Sequence, residues 1–302
     1  MEKIRPFRYG KDTSINNLVK QFEKLGFQAN KLANTANIIG LMIKDKDCKV
    51  FLGVAGALVP SGMKEILIDM LNNDWIDVLV ITGANLTHDL VEDLGYSHFL
   101  GHESMNDEEL NKKGLVRMYN ILMPNKVYEK LEEFFKSNWN EISKQNNVKD
   151  FLWTLGKLSP GNGILKTCFN KKIPIFSPAI SDSGIGLMMW GQLSQGKRAE
   201  IKAFEDLKEI LDIAWTTKRT GVIYLGGGTS KNYIQQAMQF SKEAYYGVQI
   251  TMDRQEFGGS SGAELKEGIS WGKLSPKARH INLACDITIA LPLIYCALKE
   301  RI

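Results

Sequence analysis

Lys273 stands in the stretch GAELKEGISWGKLSP, residues 262–276, directly after Trp271 and Gly272. An indole is a large apolar wall and a glycine lets backbone or ligand come close, so the setting has two readings. One is a lysine on a surface loop; the other is an amine in a dehydrated pocket, where its pKa falls and the free base becomes a nucleophile. On residue type alone the surface loop is the better reading. GVIYLGGGTSKNYIQQAM places Gly226, Gly227 and Gly228 between a strand pattern and a helix pattern. Backbone amides at such a helix start can face a phosphate with no Cβ in the way. The run matches neither GxGxxG nor GxxxxGK[ST], so a tight turn explains it equally well. Asp182 in PAISDSGIG can bind ribose hydroxyls or an amine, or cap the next helix, and the cap is the better isolated reading. Glu267 is either a solvated helix charge or the partner of a cationic substrate. His98 and His102 in SHFLGHE have a helical metal spacing, but Gly101 interrupts the helix and no third ligand follows. Both read as structural, and no metal is expected.

These residues fall in loops between regular elements. KVFLGV (49–54), DVLVIT (77–82), IPIFSP (173–178), GVIYLG (221–226), YGVQIT (246–251) and INLACDITIA (281–290) read as strands. Amphipathic stretches such as MKEILIDMLNN, KVYEKLEEFFKSNWNEISK and AEIKAFEDLKEILDIAW lie between them. Repeated strand, helix, strand predicts an α/β fold with a parallel sheet covered by helices on both faces. Ligands of such a sheet lie at the carboxyl ends of its strands, where GVAGALVPSG, TGANLTHD, SPAISDSGIG and GGGTSKN emerge. There is no Pro/Ser-rich linker, low-complexity tract or internal repeat, so a single domain over 1–302 is expected.

Composition excludes several classes of function. The 302 residues, 44% hydrophobic, suffice for a real core. With 38 basic against 34 acidic residues and a formal charge of +4, no nucleic-acid or anionic-membrane surface is implied. Cys48, Cys168, Cys285 and Cys296 lie far apart without CxxC pairing and read as buried reduced thiols, which points to the cytosol. MEKIRPFRYGKD lacks the apolar core of a signal peptide, and ITIALPLIYCAL (287–298) is too short to span a bilayer.

Taken together, the loops resemble the deoxyhypusine synthase family. The resemblance covers most of the chain, from GFQANKLANTANI through FLGVAGALVPSG, MNDEELNKKGLVRMYNILMPN, IPIFSPAISDSGIG, YLGGGTSKN and GISWGKL to ACDITIALPL, with SWGK the most specific. It implies a Rossmann-like NAD-binding sheet and a homotetramer with sites at subunit interfaces. The implied chemistry is NAD-dependent oxidation of spermidine, release of 1,3-diaminopropane and passage of the aminobutyl group through a lysine imine to an acceptor amine. By resemblance the lysine is Lys273. A free lysine near pKa ~10.4 is almost wholly protonated at neutral pH, and lowering it by about three units takes roughly 4 kcal/mol of environment, which Trp271 and nearby ammonium groups are expected to supply. The resemblance carries NAD binding to Thr82, Gly83, Asp182, Ser183, Gly227, Gly228, Ser261 and Asp286, and polyamine binding to Glu267 and Trp271.

The departures bear on the substrate. Gly56-Ala57 replaces a Ser-Asn pair, Thr87 and His88 replace paired glutamates, Leu187 replaces an aspartate, and Asn232 stands at the pocket histidine. EFGGSSGA is shorter than in the family and lacks an aspartate between its serines. Losing an imidazole removes a base near neutral pH, and losing carboxylates removes partners for ammonium groups. The altered walls, with lysine, tryptophan and glycine loop retained, favour a small-amine acceptor such as putrescine, giving homospermidine, over a lysine of the hypusine-carrying translation factor. A non-catalytic NAD or polyamine-binding protein is the alternative from another class. A plain dehydrogenase lacks a candidate acid and base pair.

Overall fold

The computed structural model describes residues 3–11 and 13–302. Met1, Glu2 and Asp12 of the amino-terminal stretch scanned for a signal peptide lie outside the described residues. A six-stranded sheet, order β6-β2-β1-β7-β8-β9, combines β1 (Cys48–Val54), β2 (Val78–Ile81), β6 (Ile175–Phe176), β7 (Arg219–Leu225), β8 (Ala244–Ile250) and β9 (Leu274–Leu283). The pairs β1/β7, β7/β8 and β8/β9 are parallel, with Val54 opposite Leu225 and Leu225 opposite Ile250. β1 and β7 each end in an unbroken buried run, the mark of strands covered on both faces. The fold is the expected α/β class. The strand order reverses between β1 and β7, a switch point of the kind that opens a ligand crevice at the strand ends.

The chain groups into two compact units. The first comprises 1–56, 74–80 and 207–302 and holds most of the large sheet. The second comprises 57–73 and 81–206. It contains the helices Lys64–Asn72, Gly83–Asp93, Val127–Ser137, Val148–Leu158, Ile164–Lys171 and Gly184–Leu193, together with an antiparallel sheet, order β3-β5-β4, of β3 (Phe99–Leu100), β4 (Leu115–Met118) and β5 (Ile121–Pro124).

Three expectations are corrected. The last strand spans 274–283 rather than 281–290, because Asp286 caps a helix, Ile287–Lys299, by accepting from the Thr288 N–H at 2.8 Å. Ile-Thr-Ile carries strand propensity, and the cap overrides it. The stretch 126–144 is two helices, Val127–Ser137 and Trp139–Ile142, broken at Asn138. All four cysteines are free, but only Cys168 is fully buried. Among the described residues no helix is long and apolar enough to cross a membrane.

Candidate active site

In the first unit the glycine run closes the switch point. Gly226 donates its N–H to Ile250 O at 2.9 Å, and Ala55 donates to Leu225 O at 2.9 Å. Gly227 precedes the helix Gly228–Gln239, whose first turn has no capping side chain. Gly228 is exposed at φ +61, with nothing within 4 Å of where a Cβ would stand. The helix start therefore presents open backbone N–H groups, the geometry that receives a phosphate. Ser261 crosses directly over Gly227, where a Cβ would lie 2.3 Å from the Ser261 Cα. The carried-over residues Gly227, Gly228 and Ser261 are thus brought together.

Lys231 holds that crossing. It is 1% exposed, and its Nζ donates to Ser260 O at 2.6 Å and Ala263 O at 2.7 Å. Burial, assisted by the Lys273 charge and opposed by Glu267, lowers its pKa to about 8. Sequence reasoning missed this residue. The signal was its spacing: Lys231, Ile234, Ala237 and Met238 are all buried, so the lysine is on the core stripe of its helix.

The Trp-Gly-Lys stretch has a backbone reason. The short helix Glu267–Ser270 ends at Trp271, and Gly272 at φ +67 turns the chain back into β9. Lys273 N–H then reaches Gly268 O at 2.8 Å, and Lys273 O accepts from Ala244 N–H at 3.2 Å. That fixes the lysine backbone at the start of a sheet strand. Its Nζ lies 4.9 Å from the Trp271 ring centroid. Burial lowers the Lys273 pKa, while the ring face favours the ammonium. The wall is more open than expected, since Trp271 is 62% exposed and Glu267 is exposed. Asn232 is exposed one residue after Lys231. Asp286, expected at the cofactor, caps its helix through the Thr288 N–H and also accepts from the Thr288 hydroxyl at 2.5 Å.

In the second unit Thr82 and Gly83 open the helix Gly83–Asp93, and Gly83 packs against Ser183, whose Cβ would lie 2.7 Å from a Cβ at Gly83. The helix Gly184–Leu193 is capped by Ser183, which accepts from Gly186 N–H at 3.1 Å and donates to Ile180 O at 2.6 Å. Asp182, read in isolation as the cap, is instead exposed one residue earlier. Thr87 ties the two helices: its hydroxyl donates to Gly83 O at 2.9 Å and accepts from Ile185 N–H at 3.1 Å. His98 pairs with His88 at 2.9 Å rather than with His102, whose ring contacts the Ser104 hydroxyl.

A family model described as Deoxyhypusine synthase matches residues 17–298. The chain is 38% identical over 292 residues to probable deoxyhypusine synthase 1 of Methanosarcina mazei, covering 96% of this chain and 92% of that one. It is 37% identical over 288 residues to probable deoxyhypusine synthase 1 of Archaeoglobus fulgidus, covering 95% and 94%. In fold it is similar to the "putative deoxyhypusine synthase from Entamoeba histolytica" seen in a crystal structure, with a TM-score of 0.66 at 18% identity over 97% of this chain and 96% of that one. With a match that spans nearly its whole length and relatives well above 30% identity, the chain belongs to the deoxyhypusine synthase family.

Proposed function

We propose that the chain is an NAD-dependent aminobutyltransferase that cleaves spermidine and carries the aminobutyl group as an imine on Lys273 to an acceptor amine. The observation that carries this reading is Lys273 itself, a lysine fixed at a strand start, lowered in pKa by burial and set against Trp271 in a member of this family. A free amine attacks where an ammonium cannot. Its attack on the oxidised carbon of spermidine expels 1,3-diaminopropane, and attack by the acceptor amine returns Lys273 to its free form. Glu267 pairs a substrate ammonium and Trp271 lines the aliphatic stem.

By resemblance, the residues that would hold NAD are Thr82, Gly83, Asp182, Ser183, Gly227, Gly228, Ser261 and Asp286. The uncapped helix start at Gly228 fits a pyrophosphate. When bound, NAD supplies acceptance and return of hydride at the aminobutyl carbon. The exposure of Trp271 fits a site completed by a neighbouring subunit of a cytoplasmic homotetramer.

For the acceptor, putrescine is the favoured reading, because Leu187 and Asn232 present neutral exposed side chains where the family uses an aspartate and a histidine. The relatives' names favour a second reading, a protein lysine. One experiment tests both levels. Incubation with NAD and labelled spermidine, then borohydride, is expected to fix label on the Lys273 peptide, and Lys273→Arg to abolish it because guanidinium stays protonated. With putrescine and a hypusine-type protein both supplied, mass spectrometry is expected to find homospermidine first. Label on another lysine sinks the imine assignment, and deoxyhypusine without homospermidine overturns the acceptor.

A further inference from the structure

The replacement of paired glutamates by Thr87 and His88 leaves a histidine on the helix Gly83–Asp93 whose surroundings are unusually complete. His88 Nδ1 lies 2.9 Å from His98 Nε2, and His98 Nδ1 lies 2.8 Å from Glu92 Oε1. The second Glu92 oxygen is 3.4 Å from Lys64 Nζ. Lys64 is in turn held by Asp89 at 3.0 Å and Asp93 at 3.1 Å. Both aspartates are anchored elsewhere in the unit: Asp89 accepts from Ile164 and Leu165 N–H, and Asp93 from Ser159 Oγ and Gly163 N–H. The His98 side chain is only 6% exposed. The chain of contacts therefore begins in a fixed ionic cluster and ends at one imidazole.

With both rings neutral, one arrangement satisfies these contacts. The carboxylate has no proton to give, so His98 Nδ1 donates to Glu92 and His98 Nε2 is left as an acceptor. His88 Nδ1 must then donate to it. His88 Nε2 carries the lone pair, and it has no hydrogen-bond partner among the described residues.

We propose that Glu92 and His98 lock His88 in its Nδ1–H form, so that His88 Nε2 is a neutral acceptor for an N–H or O–H donor of the bound ligand. His88 follows Thr87, the residue that joins Gly83 to the start of the helix Gly184–Leu193, and stands in the second turn of the helix Gly83–Asp93, which opens directly after Thr82. Ala84, four residues earlier on the same helical face, is exposed in the first turn. Burial, and then the His98 ring, lower the His88 pKa to about 4 against the opposing pull of Glu92. The charged groups around it are Glu92, Lys64, Asp89 and Asp93, with His98 as the direct neighbour. His88 thus stays neutral across the working range of pH. The chemical consequence is specific: a carboxylate at this position stabilises an ammonium over a free amine, whereas a neutral imidazole accepts from either. The identity of the donor rests on the reading above, and it is either a substrate amine or a hydroxyl or amide of the cofactor.

The test is nitrogen NMR of the whole protein labelled with 15N-histidine at mildly alkaline pH. His88 is expected to show a protonated Nδ1 and an unprotonated Nε2, and the Nε2 signal is expected to move on adding NAD alone if the cofactor is the donor, or only on adding spermidine to the NAD complex if the substrate is. His98→Phe is expected to release the locked form and to weaken the ligand so identified about tenfold. A proton on Nε2 in the free protein overturns the proposal. So does a silent Nε2 while NAD and spermidine demonstrably bind, which leaves the aminobutyltransferase reading standing. If neither ligand binds, that reading falls, and the ligand role of His88 falls with it even where the locked form is seen.

Discussion

Lys231, carried within YLGGGTSKN without a role assigned to it, shows how one side chain shapes the site. Its ammonium donates to the carbonyls of Ser260 and Ala263, and it is nearly out of contact with solvent. Because burial lowers its pKa from 10.5 to about 8, the unfolded chain binds more protons than the folded one between those values. Stability therefore rises with pH through that window as far as Lys231 is concerned. Denaturant titrations of the wild type minus Lys231→Met, taken across about pH 8 to 10.5, are expected to show that rise, and a flat difference refutes it. At this scale the sequence was partly legible. Lys273 stands out in the sequence because Trp271 and Gly272 are an odd setting for a charge, and the fold sets its Nζ 4.9 Å from the Trp271 ring centroid. Asp182 and Ser183 could not be told apart as the cap, since both side chains favour that role and the choice depends on one residue of register. The His88–His98 pair was hidden because ten residues and a helix end separate the partners.

At the level of elements, the glycine run separates two effects that a sequence cannot distinguish. Gly228 needs its left-handed backbone and has open space around it, so Gly228→Ala is expected to cost about 1 kcal/mol in strain alone. Gly227 lies under Ser261, so a methyl group there must push the crossing segment away. Gly227→Ala is expected to cost more, about 1–3 kcal/mol, and to speed amide hydrogen exchange across 254–263. Equal exchange in the two variants would show that the crossing does not depend on Gly227. Strand positions were legible for the same reason that the cradle was not. Long apolar runs such as Val222 to Leu225 announce burial on two faces, whereas the approach of Ser261 to Gly227 joins segments more than thirty residues apart. The antiparallel sheet β3-β5-β4 escaped notice because its strands are two to four residues long and partly exposed, too short for a period-two pattern to emerge.

For the whole molecule, the exposed apolar side chains bear on self-association. On the helix Gly184–Leu193, Leu187, Trp190 and Leu193 are 55%, 66% and 42% exposed. Their spacing of three residues puts them along one face. Trp271, beside the proposed nucleophile, is 62% exposed. Single exposed apolar residues are ordinary, but a contiguous apolar helical face marks a surface that another protein covers. On the proposed function, self-association would close the gap left at Lys273, because a dehydrated amine requires a wall that Trp271, 62% exposed, does not complete alone. Sedimentation at micromolar concentration is therefore expected to find an oligomer, a tetramer on the family reading. Trp190→Glu, which places a charge on the apolar face, is expected to shift it toward smaller species and to reduce transfer in step with dissociation. Loss of activity on dilution of the wild type should follow the same curve. A monomer that retains full transfer would show that one chain builds the entire site, and the open wall at Trp271 would then have to close by a movement within the chain.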